Sequence, residues 1–415
     1  MKNLISVLEA QSRIISSIDI GPWEEVAIEQ SFHRILAQEL FADMDIPAAD
    51  LSGMDGYVVR NDDILAAASN KPVTLDVIAE IPAGKFPDII LQPGQSARIM
   101  TGAALPEGGD TVIPFEDISN PDQFNHPLNR EKIEITSPLP GGSNVRPRGE
   151  DVRNGSLILP KYHKLEPQDI GMLAMTGSSR IKVMSKPCVG IFSTGDELIL
   201  PGQPHTPGKI YESNSYMLAA LVEKFGGHPV LVGKAADNPE IIESALNDLV
   251  VRNVNFILTS GGVSVGTHDY VREVIVKTGI IEFWKVNIRP GKPLVFGEYH
   301  GIPYFGLPGN PVSSFVSFLV FVLPAIRKFL GMPPLERNCV KAVLEHPVQS
   351  DGRESYLRAE LSQRNGIYYA DLSNHQGSGN LYSLVQADAL LIIPSGVKSH
   401  PAGTEVDSWL INTNN

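Results

Sequence analysis

FILTSGGVSVGTHDY (residues 256–270), WKVNIRPGKPLVFG (284–297) and YFGLPGNP (304–311) follow one another closely in the chain. Each is an apolar strand running into a glycine-rich turn, and the turns carry hydroxyls, a carboxylate and two cations. A strand that hands over to a glycine turn and then a helix brings backbone close to phosphate. The first N–H groups of a helix are unpaired, and its dipole favours anions. Working outward, the apolar run 189–192 ends in STGDEL and the run 229–232 leads to KAADNPE. NSYMLAALVEKFGG (214–227) and EIIESALNDLVVR (240–252) have helical spacing. Strands alternating with helices of this length predict a parallel α/β sheet with helices on both faces. Ligands of such sheets sit beyond the carboxyl ends of the strands.

The candidate chemistry lies on those strand ends. Asp196 and Glu197 close the first strand, Asp237 closes the second, and Asp269 follows the third behind Ser260, Gly261 and Gly262. Neighbouring carboxylates repel one another unless a cation sits between them. Oxygen donors without His or Cys spacing point to Mg²⁺. The ten histidines show no HxxxH or HxH spacing, against a zinc-type site. Asp237, ahead of Pro239, and Asp269 read equally well as helix caps. Arg289 and Lys292 share the rigid turn RPGKP, either solvated or binding an oxyanion, the Lys as a point charge and the Arg as a fork. Pro308, Gly309 and Asn310 precede the helical run 312–323, whose first turn holds Ser313 and Ser314. Neither GxxxxGK[ST] nor GxGxxG occurs in these turns, so ordinary nucleoside-triphosphate and dinucleotide readings lose weight.

The flanks differ in character. Residues 3–18 carry a helical apolar stripe, and residues 24–41 read as a strand and turn into a short helix. Asp55 enters the apolar strand 57–59 directly, which fixes it at a strand end. Residues 71–140 read as β-rich, with Thr101 in a tight hydroxyl-bearing turn. Residues 335–410 read as short strands separated by turns, a small barrel or sheet. A net charge of −13 (47 acidic against 34 basic residues) argues against nucleic acid or a membrane surface as partner. Two cysteines in different segments give no disulfide framework. The first residues do not read as a signal peptide. The apolar run 312–323, followed by Pro324, is too short to span a bilayer. The expectation is a soluble cytoplasmic protein.

SGMDGYVVR (52–60), RIMTGAALPEGGDTVIPFE (98–116), STGDEL (193–198), YESNSYML (211–218), TSGGVSVGTHDY (259–270), RPGKPLVFG (289–297), GLPGNPVSS (306–314) and HQGSG (375–379) occur in this order. In this the chain resembles the MoeA-type molybdopterin molybdenumtransferases and the E domain of gephyrin, over nearly its whole length. The resemblance implies a multidomain α/β plus β fold. An elongated discontinuous domain would span 1–46 and 141–180, a β-rich domain 47–140, a parallel-sheet α/β molybdopterin-binding domain 181–330, and a C-terminal β-barrel 331–411. It implies a homodimer with a shared active cleft, to which Asp55 and Thr101 contribute across the interface. It implies Mg²⁺-dependent insertion of molybdate into adenylylated molybdopterin, with hydrolysis of the phosphoanhydride to AMP. Glu197, Asp237 and Asp269 would hold the metal, Arg289 and Lys292 the oxyanion or phosphate, and Arg353 or Arg358 and Ser378 would reach pterin or molybdate. Many members have Lys where Arg289 stands. The implied partners are the protein that adenylylates molybdopterin and acceptors of the finished cofactor. Two other readings compete: a scaffold on the same fold, and a phosphoanhydride hydrolase acting on another nucleotide.

Overall fold

The strand Phe256–Ser260 lies inside a six-stranded sheet, in the order His228–Ala235, Cys188–Thr194, Phe256–Ser260, Ile302–Leu307, Val295–Tyr299, Gly279–Trp284. The first four run parallel. Val295–Tyr299 runs against both of its neighbours, so the expected parallel sheet carries one reversed strand. His300 and Gly301, at φ of 50° and 78°, form the two-residue link to Ile302–Leu307. A two-residue link joins only antiparallel strands, and positive φ at both residues matches the primed turns whose twist suits them. Because Val295–Tyr299 alone is reversed, Gly279–Trp284 again points the same way as the first four. Five strands therefore finish at one edge, and the RPGKP turn emerges there too.

This computed structural model describes residues 4–119, 131–263, 270–373 and 375–411. The chain forms two compact units: Met1–Ala37 with Tyr162–Pro167 and Arg180–Asn415, and Gln38–Lys161 with Gln168–Ser179. In the first unit both faces of the sheet are covered, as the alternation of helices and strands predicts. Ile191, Phe256, Leu258 and Phe305 pack on one side against the helices Val7–Ser17 and Asn214–Lys224 and the helical run Pro311–Phe329. Phe192, Ile257, Val295 and Tyr304 pack on the other against Pro239–Val251 and Tyr270–Thr278. Each such side chain, buried, contributes roughly 1.5–3 kcal/mol relative to exposure.

Two expectations about helices fail. The run that was read as ending before Pro324 continues to Phe329. A π turn spans Phe318–Val322, and the N–H of Leu323 reaches back to the carbonyl of Phe318. Pro324 then sits in the first turn of Leu323–Phe329, where a missing N–H costs least. At 19 residues this helix is long and apolar enough to cross a membrane, but 83% of it is buried within the protein. Nor is there an α-helix in residues 31–41. The strand Trp23–Ala27 pairs with Arg180–Met184, a 3₁₀ turn follows at Ile28–Gln30, and Ile35 and Leu36 are buried at 4% and 0% exposure. Their backbone bonds go to His163 and Met184, so tertiary pairing overrides local propensity.

Behind the sheet in sequence comes a closed five-stranded barrel. Its strands are Cys339–Leu344, Glu354–Arg364, Ile367–Leu372, Ala389–Ile393 and Glu405–Leu410. The eleven-residue strand Glu354–Arg364 closes it by pairing with Ala389–Ile393 at one end and Ile367–Leu372 at the other. Ile288 and Arg289 also pair in parallel with Glu354 and Ser355, which fixes the RPGKP turn to the barrel. The second unit carries a five-stranded sheet ordered Thr111–Pro114, Gly56–Val59, Gln95–Ile99, Val73–Ile81, Lys132–Ile135. Gly56 is required there, because a Cβ would lie 2.0 Å from the carbonyl oxygen of Ile113. Gly56→Ala is therefore expected to cost about 1–3 kcal/mol or more through forced backbone movement. Denaturant unfolding checks this, and an unchanged midpoint would contradict it.

Candidate active site

The ends of Cys188–Thr194, Phe256–Ser260 and Ile302–Leu307 open on a cavity of about 640 Å³. Its floor depends on glycine. Gly261 and Gly262 have φ of 92° and 63°, and a Cβ on the first would lie 2.6 Å from the Thr194 carbonyl oxygen. Ser260, which opens the first glycine turn and was a candidate for substrate binding, is 1% exposed, and its hydroxyl works internally. It donates to the carbonyl of Pro308 at 3.1 Å and accepts from Asn214 Nδ2 at 2.8 Å. Asn214 Nδ2 also donates to the carbonyl of Gly309 at 2.7 Å, and Ser314 Oγ to that of Pro308 at 2.6 Å. One amide thus ties the two glycine turns together.

Asn214 and the neighbouring Glu212 were not singled out from sequence. Glu212 is 2% exposed and accepts from Ser193 Oγ and the Ser215 N–H, both at 2.8 Å, and from Ser215 Oγ. A buried carboxylate is tolerable when its lone pairs are filled in this way. The available signal was YESNSYML, four polar residues at the start of a helix. It reads as ordinary capping until the fold turns it towards the strand ends.

The acidic flank comes from two adjoining strand ends. Asp196 and Asp237 exchange backbone bonds, each N–H donating to the other's carboxylate at 3.3 Å. Asn238 caps the following helix, accepting from the Ile241 N–H, so the capping alternative for Asp237 falls away. Burial pushes the Asp237 carboxyl above the usual range; the Asp196 N–H pulls it down, while the charges of Asp196 and Glu197 push it further up. Glu197 and Asp237 both line the cavity. Among the described residues no three carboxylates, histidines or cysteines converge as a metal group. Asp269, the third expected ligand, lies outside the described residues.

A second cavity, of about 370 Å³, shares Pro293, Pro308 and Asn310 with the first. Arg289, Lys292, Arg353, Arg358 and Ser378 line it. Gly291 (φ 105°) lets the RPGKP turn lie close to the helical run, since a Cβ there would meet Ser317 Oγ at 2.7 Å. Asn310 Nδ2 donates to Ser378 Oγ at 2.9 Å, and the Val312 N–H to the Ser378 carbonyl at 3.1 Å. Arg353 is neutralised by Asp351 and also donates to the Ile288 carbonyl. Arg358 is 1% exposed and donates to Ser383 Oγ at 2.9 Å and to the carbonyls of Gly377 and His375 at 3.0 and 3.3 Å. Burial lowers its pKa to about 10, and the charge of Arg289 adds to the effect. Among the described residues no carboxylate forms an ion pair with Arg289, Lys292 or Arg358. Asp351, paired with Arg353, feels the charge of Arg289 without bonding to it; three cations with no direct carboxylate partner among the described residues suit an anion.

In the second unit, Asp55 and Thr101 are brought together. The Thr101 N–H and hydroxyl both donate to Asp55 Oδ1 at 2.7 Å, which holds the Asp55 carboxyl below its usual value. Both residues are exposed.

Three family models match successive stretches of the chain: "MoeA N-terminal region (domain I and II)" over residues 5–177, "Probable molybdopterin binding domain" over 190–328 and "MoeA C-terminal region (domain IV)" over 341–411. A molybdopterin molybdenumtransferase of Nostoc sp. is 40% identical over 380 residues, 90% of this chain and 85% of that one. Its counterpart from Bacillus subtilis is 34% identical over 413 residues, 99% of this chain and 95% of that one. A crystal structure of a molybdopterin biosynthesis MoeA protein from Pyrococcus horikoshii is 32% identical, with a TM-score of 0.85, covering 98% of this chain and 99% of that one.

The raised Asp237 carboxyl has a consequence for stability. A carboxyl that protonates more readily when folded lends stability at low pH and loses it as pH rises through its folded pKa. Asp237→Asn is therefore expected to raise the thermal midpoint at pH 7, and the gain should shrink as pH falls towards 3.8. Calorimetry across that range checks it; a lowered midpoint at pH 7 would contradict it.

Proposed function

We propose, for a chain that belongs to the MoeA family of molybdopterin molybdenumtransferases, that the two joined cavities hold the two substrates of molybdenum insertion. The chain is a transferase of molybdenum cofactor biosynthesis. In the proposed reaction the larger cavity takes adenylylated molybdopterin and the smaller takes molybdate. The phosphoanhydride to AMP is hydrolysed, and molybdenum enters at the dithiolene. The observation that carries this reading is the gathering of Arg289, Lys292 and Arg358 around the smaller cavity, with no direct ion pair to a carboxylate among the described residues. A tetrahedral dianion would satisfy all three. Arg358 is the fixed element, because its hydrogen bonds to Ser383, His375 and Gly377 leave it little freedom. Lys292 is the exposed and adjustable one, suited to admit and release the ion. Ser378, held by Asn310, adds a hydroxyl at the wall the two cavities share.

On the acidic flank the donor set fits a hard divalent cation in kind. The donors are carboxylate oxygens, and Asp237 carries repulsion from Asp196 and Glu197 that a cation would relieve. Glu197 and Asp237, with Asp269, would hold Mg²⁺; bound there it would offset negative charge on the phosphoanhydride. Gly261, Gly262 and Gly309 let the ligand approach the backbone, and Val263 and Leu198 close the cavity around it. We further propose a homodimer in which Asp55 and Thr101 of a second copy complete the cleft. The Thr101 bonds keep Asp55 ionised and oriented for that task. The substrate would be handed over by the protein that adenylylates molybdopterin, and the product passed to acceptors of the finished cofactor.

Purified protein given adenylylated molybdopterin, Mg²⁺ and molybdate is expected to release AMP and yield active molybdenum cofactor; if neither forms, the proposal fails. Lys292→Met should raise the molybdate concentration for half-maximal rate by about tenfold or more, as loss of a charge-assisted contact does. Its melting temperature should be unchanged, since the side chain is exposed.

A further inference from the structure

Among the described residues that line the larger cavity, only Tyr211 is aromatic. It is 45% exposed, so its ring is open to whatever enters. Its backbone is fixed on both sides. Leu198 and Ile199 pair in parallel with Ile210 and Tyr211. The Ile210 N–H donates to the Glu197 carbonyl at 2.9 Å, and the Glu212 N–H to that of Ile199 at 2.8 Å. Lys209 Nζ ties the same segment to the Asp196 carbonyl at 2.7 Å. The ring itself is held by its tip, since Tyr211 Oη donates to the Gln203 carbonyl at 2.9 Å. Its faces have no task within the protein. The His205 ring stands 5.9 Å away and is tilted by 51°, so it does not stack. Among the described residues no cation lies over the Tyr211 ring. An aromatic ring that is oriented but uncovered offers its face to a planar ligand, as in the platforms on which bases stack.

We propose that Tyr211 is the platform on which the adenine ring of the substrate stacks, and that it sets specificity for the nucleotide half. The inference rests on the reading of this cavity as the pocket for adenylylated molybdopterin. The order of groups along that substrate decides which of its two heteroaromatic ends meets Tyr211. Molybdenum enters at the dithiolene, on the pterin side of the phosphoanhydride. The pterin end therefore points to the smaller cavity, across the wall of Pro293, Pro308 and Asn310 that both cavities share. The phosphoanhydride falls to the carboxylates Glu197 and Asp237, and the adenosine lies on its far side. Tyr211 lines the larger cavity and not the smaller. Its strand is bonded to the backbone of Glu197 through Ile210, which puts the ring on the acidic flank, with the AMP half. Stacking tolerates ring substituents, because every base has a π-face. Tyr211 thus separates a nucleotide from a bare sugar phosphate rather than one purine from another.

Equilibrium binding to the full chain, with Mg²⁺ present, tests this with three probes: AMP, ribose 5-phosphate, which lacks the ring, and pterin. AMP should bind at least about tenfold tighter than ribose 5-phosphate, as a stacked base contributes. Tyr211→Ala should abolish that preference and leave the affinities for ribose 5-phosphate and pterin unchanged. Tyr211→Phe keeps the ring and removes the bond to Gln203, and should retain the preference. A Tyr211 that merely holds its own loop would behave otherwise. The two variants would then act alike, and AMP and ribose 5-phosphate would weaken together. If AMP does not bind the unmodified protein, the reading of the cavity fails and the inference with it. The inference alone is overturned if AMP binds without preference over ribose 5-phosphate, if the preference survives Tyr211→Ala, or if that variant weakens pterin instead.

Discussion

A single side-chain amide holds the candidate site in shape. Asn214 Nδ2 donates both to Ser260 Oγ and to the Gly309 carbonyl, and so spans the ends of two neighbouring parallel strands. Glycine turns have no side chains with which to fix themselves. Their freedom to approach a ligand is also a freedom to collapse or splay. The amide, backed by Ser314 and the filled carboxylate of Glu212, supplies the constraint the turns lack. The apolar core does not reach this edge, where strands stop and backbone polar groups must find partners elsewhere.

Charge at that edge is sorted by kind. Carboxylates stand after Cys188–Thr194 and His228–Ala235, while Arg289, Lys292 and Arg358 gather where the sheet meets the barrel. The two groups line adjoining cavities that share only Pro293, Pro308 and Asn310. Like charges are crowded on each side without being neutralised by the other. Such an arrangement lowers stability in the empty protein and raises affinity for ligands of opposite sign.

Most of the framework was legible in the sequence. Apolar runs ending in glycine placed the central strands, helical spacing placed the helices on both faces of the sheet, and turn-separated runs after residue 335 announced a small barrel or sheet, of which the barrel is the one formed. The discrepancies have local causes. The reversed strand follows from His300-Gly301, a hairpin link that lacks the Asn-Gly or Asp-Gly signature. Pro324 looked like a stop because the π turn that accommodates it is invisible to composition. Ile35 and Leu36 have the apolar pattern of a helix face but bond to distant backbone. At the site, charged residues in rigid turns stood out, whereas Glu212 and Asn214 did not. Their importance comes from burial and from the bonds they make to neighbouring turns, and neither can be read from a one-dimensional pattern. Arg358 was legible as a candidate, but its lack of a carboxylate partner was not.

The pairing of Ile288 and Arg289 with Glu354 and Ser355 makes the barrel a gauge for the cation turn. Two residues on each side set the distance between Arg289, carried by the sheet domain, and Arg358, which lies beyond Arg289's partner Ser355 on the same barrel strand. In a strand, a slip of one residue reverses every side chain, so this short ladder admits no intermediate setting. The barrel and the RPGKP turn are consequently bound to change together over evolution. A barrel from a relative could be exchanged into this chain only with its matching turn, and the spacing of the oxyanion cavity is inherited as one unit.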